Sequence, residues 1–403
     1  MTASIAAPFV GGCSLPGRLA MLPTRLKTHE AFPGIPNGAR VVLDGQDDAL
    51  LGRIIEASLF REIANLESQG ITRLGPADYL ALSGGGEDGA FGAGVLTGWT
   101  KTGTRPEFRI VTGVSTGALM APFAYLGSAY DDALTRFYTG ITQESVMRSR
   151  GYLDALFGDS LYDSRPLQEM IRSALTPNVL DSIAREYLDK GRLLMVATTN
   201  LDTPVGVLWN IGALAASGQP ASVDLIVQVL LASASIPGAF PPVMIRFEHD
   251  GRSYEEMHVD GGALTQVMLY PGTLSLGDIA PSLLKRVVAR ERRLWIIRNS
   301  RMGRRSQPVE RSAIRITSRA LNTLIATQGV GDLYQLYVLA QRDHLRYRVT
   351  YIPGDFAMKP NDLFDPVYMR ALFEFGQTYI QSGQPWHDFP PGYSPNSLYS
   401  PVR

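Results

Sequence analysis

Short apolar runs bounded by polar or turn residues recur along this chain, with helical stretches between them, and this alternation constrains the fold more than any other feature. Tyr79–Leu82, Ile110–Val111, Leu193–Ala197 and Leu294–Ile297 have the length and flanks of buried parallel strands. Leu50 to Gln69 places Ile54, Ile55, Leu59, Ile63 and Leu66 at helical spacing and stops at Gly70. Asp365-Pro366 is an N-cap and first-turn pair that opens a helix expected to run to about Gly383. The βαβ alternation predicts an α/β fold with a mainly parallel central sheet flanked by helices. There is no internal repeat and no linker-like block. The expected division is therefore an irregular Pro/Gly-rich lead-in over 1–40, one catalytic domain over 41–390 and a tail over 391–403.

Composition narrows the functions open to such a fold. Of 403 residues 45% are hydrophobic and 19% charged, as in a folded protein with a large core. Lys plus Arg equals Asp plus Glu, 38 each, so the global positive field of a nucleic-acid binder is absent and no nucleic-acid partner is expected. The densest basic cluster, Arg298, Arg301, Arg304 and Arg305, reads as a solvated loop. Cys13 is the single cysteine, which rules out an intrachain disulfide and a Cys-based zinc cluster. Its context, Val10-Gly11-Gly12-Cys13, resembles a lipobox, although the apolar stretch before it is short and carries no Lys or Arg. Two localisations stay open: a membrane-anchored bacterial lipoprotein through Cys13, or a cytoplasmic or peripheral membrane protein.

Three glycine-rich segments carry the chemistry. Gly113-Val114-Ser115-Thr116-Gly117 is a G-x-S-x-G pentapeptide after a predicted strand and before an Ala-rich helical stretch. That is the setting of a nucleophile elbow, in which a sharp strand-to-helix turn lifts the serine oxygen clear of the sheet. A plain glycine-rich turn gives the same pattern, and Pro122 is expected to kink the helix that follows. Ser83-Gly84-Gly85-Gly86-Glu87-Asp88-Gly89 also closes a predicted strand, and its glycine amides suit an oxyanion hole. It lacks the Gly-Lys-Ser/Thr ending of a phosphate loop. Asp260-Gly261-Gly262 follows the extended Met257-His258-Val259, where a carboxylate is held within reach of a nucleophile; a turn is the alternative.

A fourth stretch, Ala232-Ser233-Ala234-Ser235-Ile236-Pro237-Gly238-Ala239-Phe240-Pro241-Pro242, lies between Ser115 and Asp260. In this order, over about Ala77 to Gln266, the four elements resemble the patatin-like phospholipases. The resemblance implies a patatin-like α/β fold and a serine lipid acyl hydrolase of phospholipase A or lysophospholipase type, with no metal and no organic cofactor. Carried over by position, it implies Ser115 as nucleophile, Asp260 as its base in a dyad without histidine, and Gly84, Gly85 and Gly86 as oxyanion donors. The implied partner is a lipid or membrane-surface substrate. Two positions depart from the family pattern: Ser83 stands where Asp is usual, and Asp88 where Arg or Lys is usual. A carboxylate at Asp88 would repel a nearby phosphate.

Two rival functions remain at this point. A Ser-His-Asp carboxylesterase of the α/β-hydrolase type needs a histidine after the acid, and His344 and His387 both follow Asp260. His344 reads as a surface residue, while His258, two residues before Asp260, shares its side of an ideal strand and is a candidate for tuning the site. A lipid-binding protein without turnover is the other rival. Phe240 to Pro242 and Leu208-Trp209 suit either a membrane-facing surface or the core.

Overall fold

The computed structural model describes residues 17–23, 36–149, 159–275, 290–302 and 308–394. Cys13, Arg304 and Arg305 lie outside the described residues. Nine strands make one sheet among them: β1 (Arg40–Val42), β2 (Ala77–Leu82), β3 (Phe108–Val114), β4 (Leu193–Asn200), β5 (Val205–Asn210), β6 (Val243–His249), β7 (Arg252–Asp260), β8 (Arg292–Arg301) and β9 (Arg346–Ile352). Along the main path the order is β1-β5-β4-β3-β2-β8-β9. From β4 to β9 every pairing is parallel, and antiparallel partners occupy the other end: β5 on β4, β1 on β5, and β7 on both β4 and β6. The expected parallel core is present. Its antiparallel extension follows from β7 doubling back so that Thr198 pairs with Asp260.

The principal helices are α1 (Asp48–Ser68), α2 (Gly89–Lys101), α3 (Thr116–Leu126), α4 (Asp131–Thr139), α5 (Arg165–Ala174), α6 (Pro177–Lys190), α7 (Pro220–Ser233), α8 (Ala313–Arg342) and α9 (Pro366–Tyr379). Strand alternation sorts them into two layers. Leu80, Leu82, Val111 and Val196 point into a core shared with α2 through α7 and α9. Tyr79, Ala81, Ile110 and Met195 point the other way, onto α1 and the second half of α8. Period-2 burial on both faces is what a sheet sandwiched by helices requires. Among the described residues no helix is long and apolar enough to cross a membrane.

Local signals behave as their chemistry dictates. The Asp365 carboxylate accepts from the Val367 and Tyr368 amides at 2.9 and 3.3 Å and caps α9, which ends at Tyr379 rather than near Gly383. Pro122 sits inside α3 without ending it. Leu208 and Trp209 are core residues, 1% and 0% exposed, not a membrane-facing pair. The basic cluster is corrected too: Arg298 is a buried residue of β8, and Arg301 donates to the carbonyls of Phe356 and Met358.

Candidate active site

The C-terminal ends of β2, β3 and β4 converge, and the carboxyl edge of a parallel sheet is where α/β folds bind ligands. Ser115 stands at the turn between β3 and α3 with φ 56° and ψ −127°. A non-glycine residue in that region is strained by about 1–3 kcal/mol and persists only where its neighbours hold it. Packing accounts for the flanking glycines: a Cβ on Gly113 would lie 2.5 Å from the Gly117 carbonyl oxygen, and one on Gly117 would lie 2.4 Å from that of Leu82. The Ser115 amide donates to the Ser233 hydroxyl at 3.0 Å, which donates in turn to the Ala197 carbonyl at 2.7 Å. Ser233 thus ties the elbow to the end of β4. Ser233 belongs to the Ala232–Pro242 stretch, and nothing local in that sequence signals this bond to the elbow.

Asp260 closes β7 beside Thr198 of β4, and its amide donates to the Ser235 carbonyl at 2.9 Å. Its carboxylate accepts from the Gly262 amide at 2.7 Å, and the Ser115 hydroxyl lies near enough to pull its pKa down. Burial pushes this carboxyl up to about 7, against the pull of those two donors, and no cation opposes the shift. Serine and aspartate, 145 positions apart in sequence, are therefore brought together.

The glycine loop is pinned from three sides. The Ser83 hydroxyl donates to the Gly84 carbonyl at 2.7 Å and accepts from the Asn299 amide at 2.8 Å, while the Asn299 side chain donates to the Ser83 carbonyl at 2.8 Å. Gly85 passes so close to β8 that a Cβ there would fall 1.8 Å from the Asn299 carbonyl oxygen. The Gly84 amide donates to the Gln266 carbonyl at 3.0 Å. It is thus already committed, unlike the amides of Gly85 and Gly86, which have no acceptor among the described residues. Gln266 is a second residue missed in the sequence: its side-chain amide also donates to the Gly262 carbonyl at 3.0 Å, joining the glycine loop to the Asp260 turn.

Asp88 faces α9. It accepts from the Tyr368 hydroxyl, and the Arg301 guanidinium acts on that same hydroxyl, so a cation stands one residue away from this carboxylate. The histidines lie elsewhere. His258 is fully buried and hydrogen-bonds Thr198 at 3.0 Å and Glu256 at 3.1 Å, not Asp260. His387 stacks on Tyr351 at 4.9 Å, and His344 is exposed. No histidine among the described residues hydrogen-bonds Ser115 or Asp260.

A narrow cavity of about 30 Å³ opens at Ser115 and Gly86, walled by Leu119, Met170, Ile236, Phe240, Phe364 and Met369. Among the described residues no group of acidic, His or Cys side chains is arranged to hold a metal.

Residues 80–269 match the patatin family model, described as patatin-like phospholipase. The chain carries a patatin-like phospholipase domain. No curated protein matches the chain. Among solved structures it is similar to VipD from Legionella pneumophila, at 13% identity over 75% of this chain and 66% of that one, with a TM-score of 0.31. It is also similar to human GIVD cytosolic phospholipase A2, at 12% identity over 71% and 51% of the two chains (TM-score 0.28). The type III effector protein ExoU matches at 13% identity over 79% and 56% (TM-score 0.25). The chain thus spans between half and two thirds of the length of these proteins.

Proposed function

We propose that this protein hydrolyses fatty-acyl esters of lipids, as a phospholipase A or lysophospholipase, through a Ser115–Asp260 dyad. The observation that carries this reading is the placement of the Ser115 hydroxyl beside a buried carboxylate, near enough to pull its pKa down, at the mouth of an apolar cavity. A serine hydroxyl is a poor nucleophile until a base takes its proton. An Asp held near 7 by burial is a stronger base than an ordinary carboxylate, and it is ionised in a useful fraction at neutral pH.

In the proposed cycle Asp260 takes the Ser115 proton as Oγ bonds to the acyl carbonyl carbon. The carbonyl electron pair moves onto oxygen, where the Gly85 and Gly86 amides stabilise it. Collapse re-forms the carbonyl and expels the alcohol, which leaves with the proton from Asp260. Water then attacks the acyl-Ser115 ester with Asp260 again accepting a proton, and breakdown frees the fatty acid and returns the proton to Ser115. The acyl chain enters between Leu119, Met170 and Met369. At about 30 Å³ the cavity has room for only a few waters, so these flexible side chains must spread as the chain enters.

The test is turnover of a panel of phospholipids, monoacylglycerols and short-chain esters, with fluorophosphonate labelling of Ser115 in parallel. Long-chain lipid esters are expected to outrun acetyl esters. Equal rates on acetyl and long-chain esters would remove the lipid part of the proposal. Acyl-chain binding without labelling would replace the enzyme with a binding protein.

A further inference from the structure

On the other side of the glycine loop lies a second cavity of about 110 Å³, lined by Ser83, Gly84, Gly85, Gln266, Arg298 and Ser300 and roofed by Asn322 and Ala326 of α8. Arg298 comes from the carboxyl end of β8, where the register with β9 shifts between Arg298 and Arg301. It is 4% exposed. Among the described residues its Nη1 is buried without a hydrogen-bond partner, and Nη2 has a single long contact, 3.4 Å, to the Ala326 carbonyl. A guanidinium stays charged in a protein even where burial pulls its pKa down, as it does here. Burying such a charge without an anion is costly. The acid that acts on it, Asp332, is occupied: its Oδ2 accepts from the Gln266 and Val267 amides at 2.6 and 3.4 Å, and it makes no ion pair with Arg298.

We propose that this cavity binds a phosphate group, with the Arg298 guanidinium as its charge. The Arg298 fork shares this cavity with the Asn322 side chain and with the Ser300 hydroxyl, which also donates to the Arg301 carbonyl at 3.2 Å. That set suits a tetrahedral anion with several acceptor oxygens better than a two-oxygen carboxylate. The volume holds several waters and hence one such anion. Two sources supply this chemistry, the phosphodiester of a lipid headgroup and free phosphate. The headgroup source rests on the proposed lipid hydrolysis, since the Gly84 that lines this cavity is also in contact range of Ser115; binding of free phosphate stands without it.

The experiment is calorimetric titration of the full chain with inorganic phosphate and, separately, acetate, followed by phosphate inhibition of lysophospholipid and monoacylglycerol hydrolysis. Saturable phosphate binding is expected, kept in Ser115→Ala and weakened at least tenfold in Arg298→Gln. Because a buried Arg298→Gln chain can fail to fold, Asn322→Glu serves as the second variant: it places a carboxylate at the exposed roof and is expected to weaken phosphate by a similar factor. Competition against the lysophospholipid alone assigns the site to a headgroup; binding without competition assigns it to free phosphate. No saturable binding, equal binding of acetate, or affinity unchanged in folded Arg298→Gln and in Asn322→Glu would overturn the proposal.

Discussion

Two carboxylates four residues apart on β7 are both buried, yet they end in opposite states. At Glu256 burial pushes the carboxyl up, but the His258 hydrogen bond and the Arg40 guanidinium together outweigh it and hold the group below its ordinary range. Arg40 Nη2 reaches both Glu256 oxygens, at 3.0 and 2.9 Å. Burial also lowers the His258 pKa and favours the neutral ring. The hydrogen bonds then form one consistent chain in which Trp209 donates to Thr198, Thr198 to His258 Nδ1, and His258 Nε2 to Glu256. With Arg40 bonded to Glu256 at its end, that chain joins β1, β4, β5 and β7. Asp260 has a hydroxyl and one amide in place of a cation, so desolvation prevails and its carboxyl rises to about 7. Burial alone does not raise a carboxyl; burial without a counter-charge does. Glu256 fastens the strand that presents Asp260, and His258 acts within that fastening as a positioning residue.

The largest expected effect is at the nucleophile. Ser115→Ala should reduce lipid ester turnover to background and abolish fluorophosphonate labelling, both measured on folded protein. Residual labelling would place the nucleophile elsewhere.

Asp260→Asn should cost about 10² to 10⁴ in rate, the span of lost general-base catalysis. The same variant should be more stable than wild type at high pH. The stability contributed by neutral Asp260 is complete below the ordinary carboxyl value of 3.8 and is lost as pH rises through about 7, whereas Asn carries no such dependence. The advantage of Asn should therefore open between these values and reach at most on the order of 4 kcal/mol by pH 8. Thermal unfolding at pH 5 and pH 8 measures it. A difference that is the same at both would mean that Asp260 is not held near neutrality.

Next comes the wild-type pH profile. Since Asp260 must be ionised to accept a proton, kcat/KM should fall about tenfold per pH unit below about 7. A flat profile down to pH 5 would remove Asp260 as the base.

The smallest effect on rate is expected at Glu256. Glu256→Gln removes the carboxylate that the Arg40 guanidinium reaches and should cost about 1–3 kcal/mol of stability, read by denaturant titration. Turnover per folded molecule should stay within about threefold, because Glu256 touches no reacting group. If His258→Gln or Glu256→Gln abolished turnover in folded protein, the two halves of β7 would not be separable as described.

Much of the site was legible in the chain because each piece is local. Gly113 is crowded by its own turn, at Gly117, and the elbow, the glycine loop and the Asp-Gly-Gly turn each announce themselves within a few consecutive residues, although Gly117 and Gly85 are crowded by the distant Leu82 and Asn299 carbonyls. The same holds for the parallel strands, whose apolar runs are short and bounded. Asp88 was legible as a charge but not in its direction, since its partner Tyr368 lies 280 positions away. The basic cluster misled for the same reason: in sequence Arg298 is one of several arginines, and only the placement of β8 between β2 and β9 buries it.

Sequence alone, then, determined the order of the four motifs and the glycines at their turns, because turn chemistry is written in a few consecutive residues. What the tertiary structure decided was the electrostatic setting: Asp260 raised and Glu256 lowered, Ser233 holding the elbow across 118 positions, Gln266 bridging two loops, and Arg298 facing a cavity. Those properties depend on which groups exclude water from a charge and which return a partner to it. Such neighbours come from strands and loops far apart in the chain, and they meet only when the sheet is assembled.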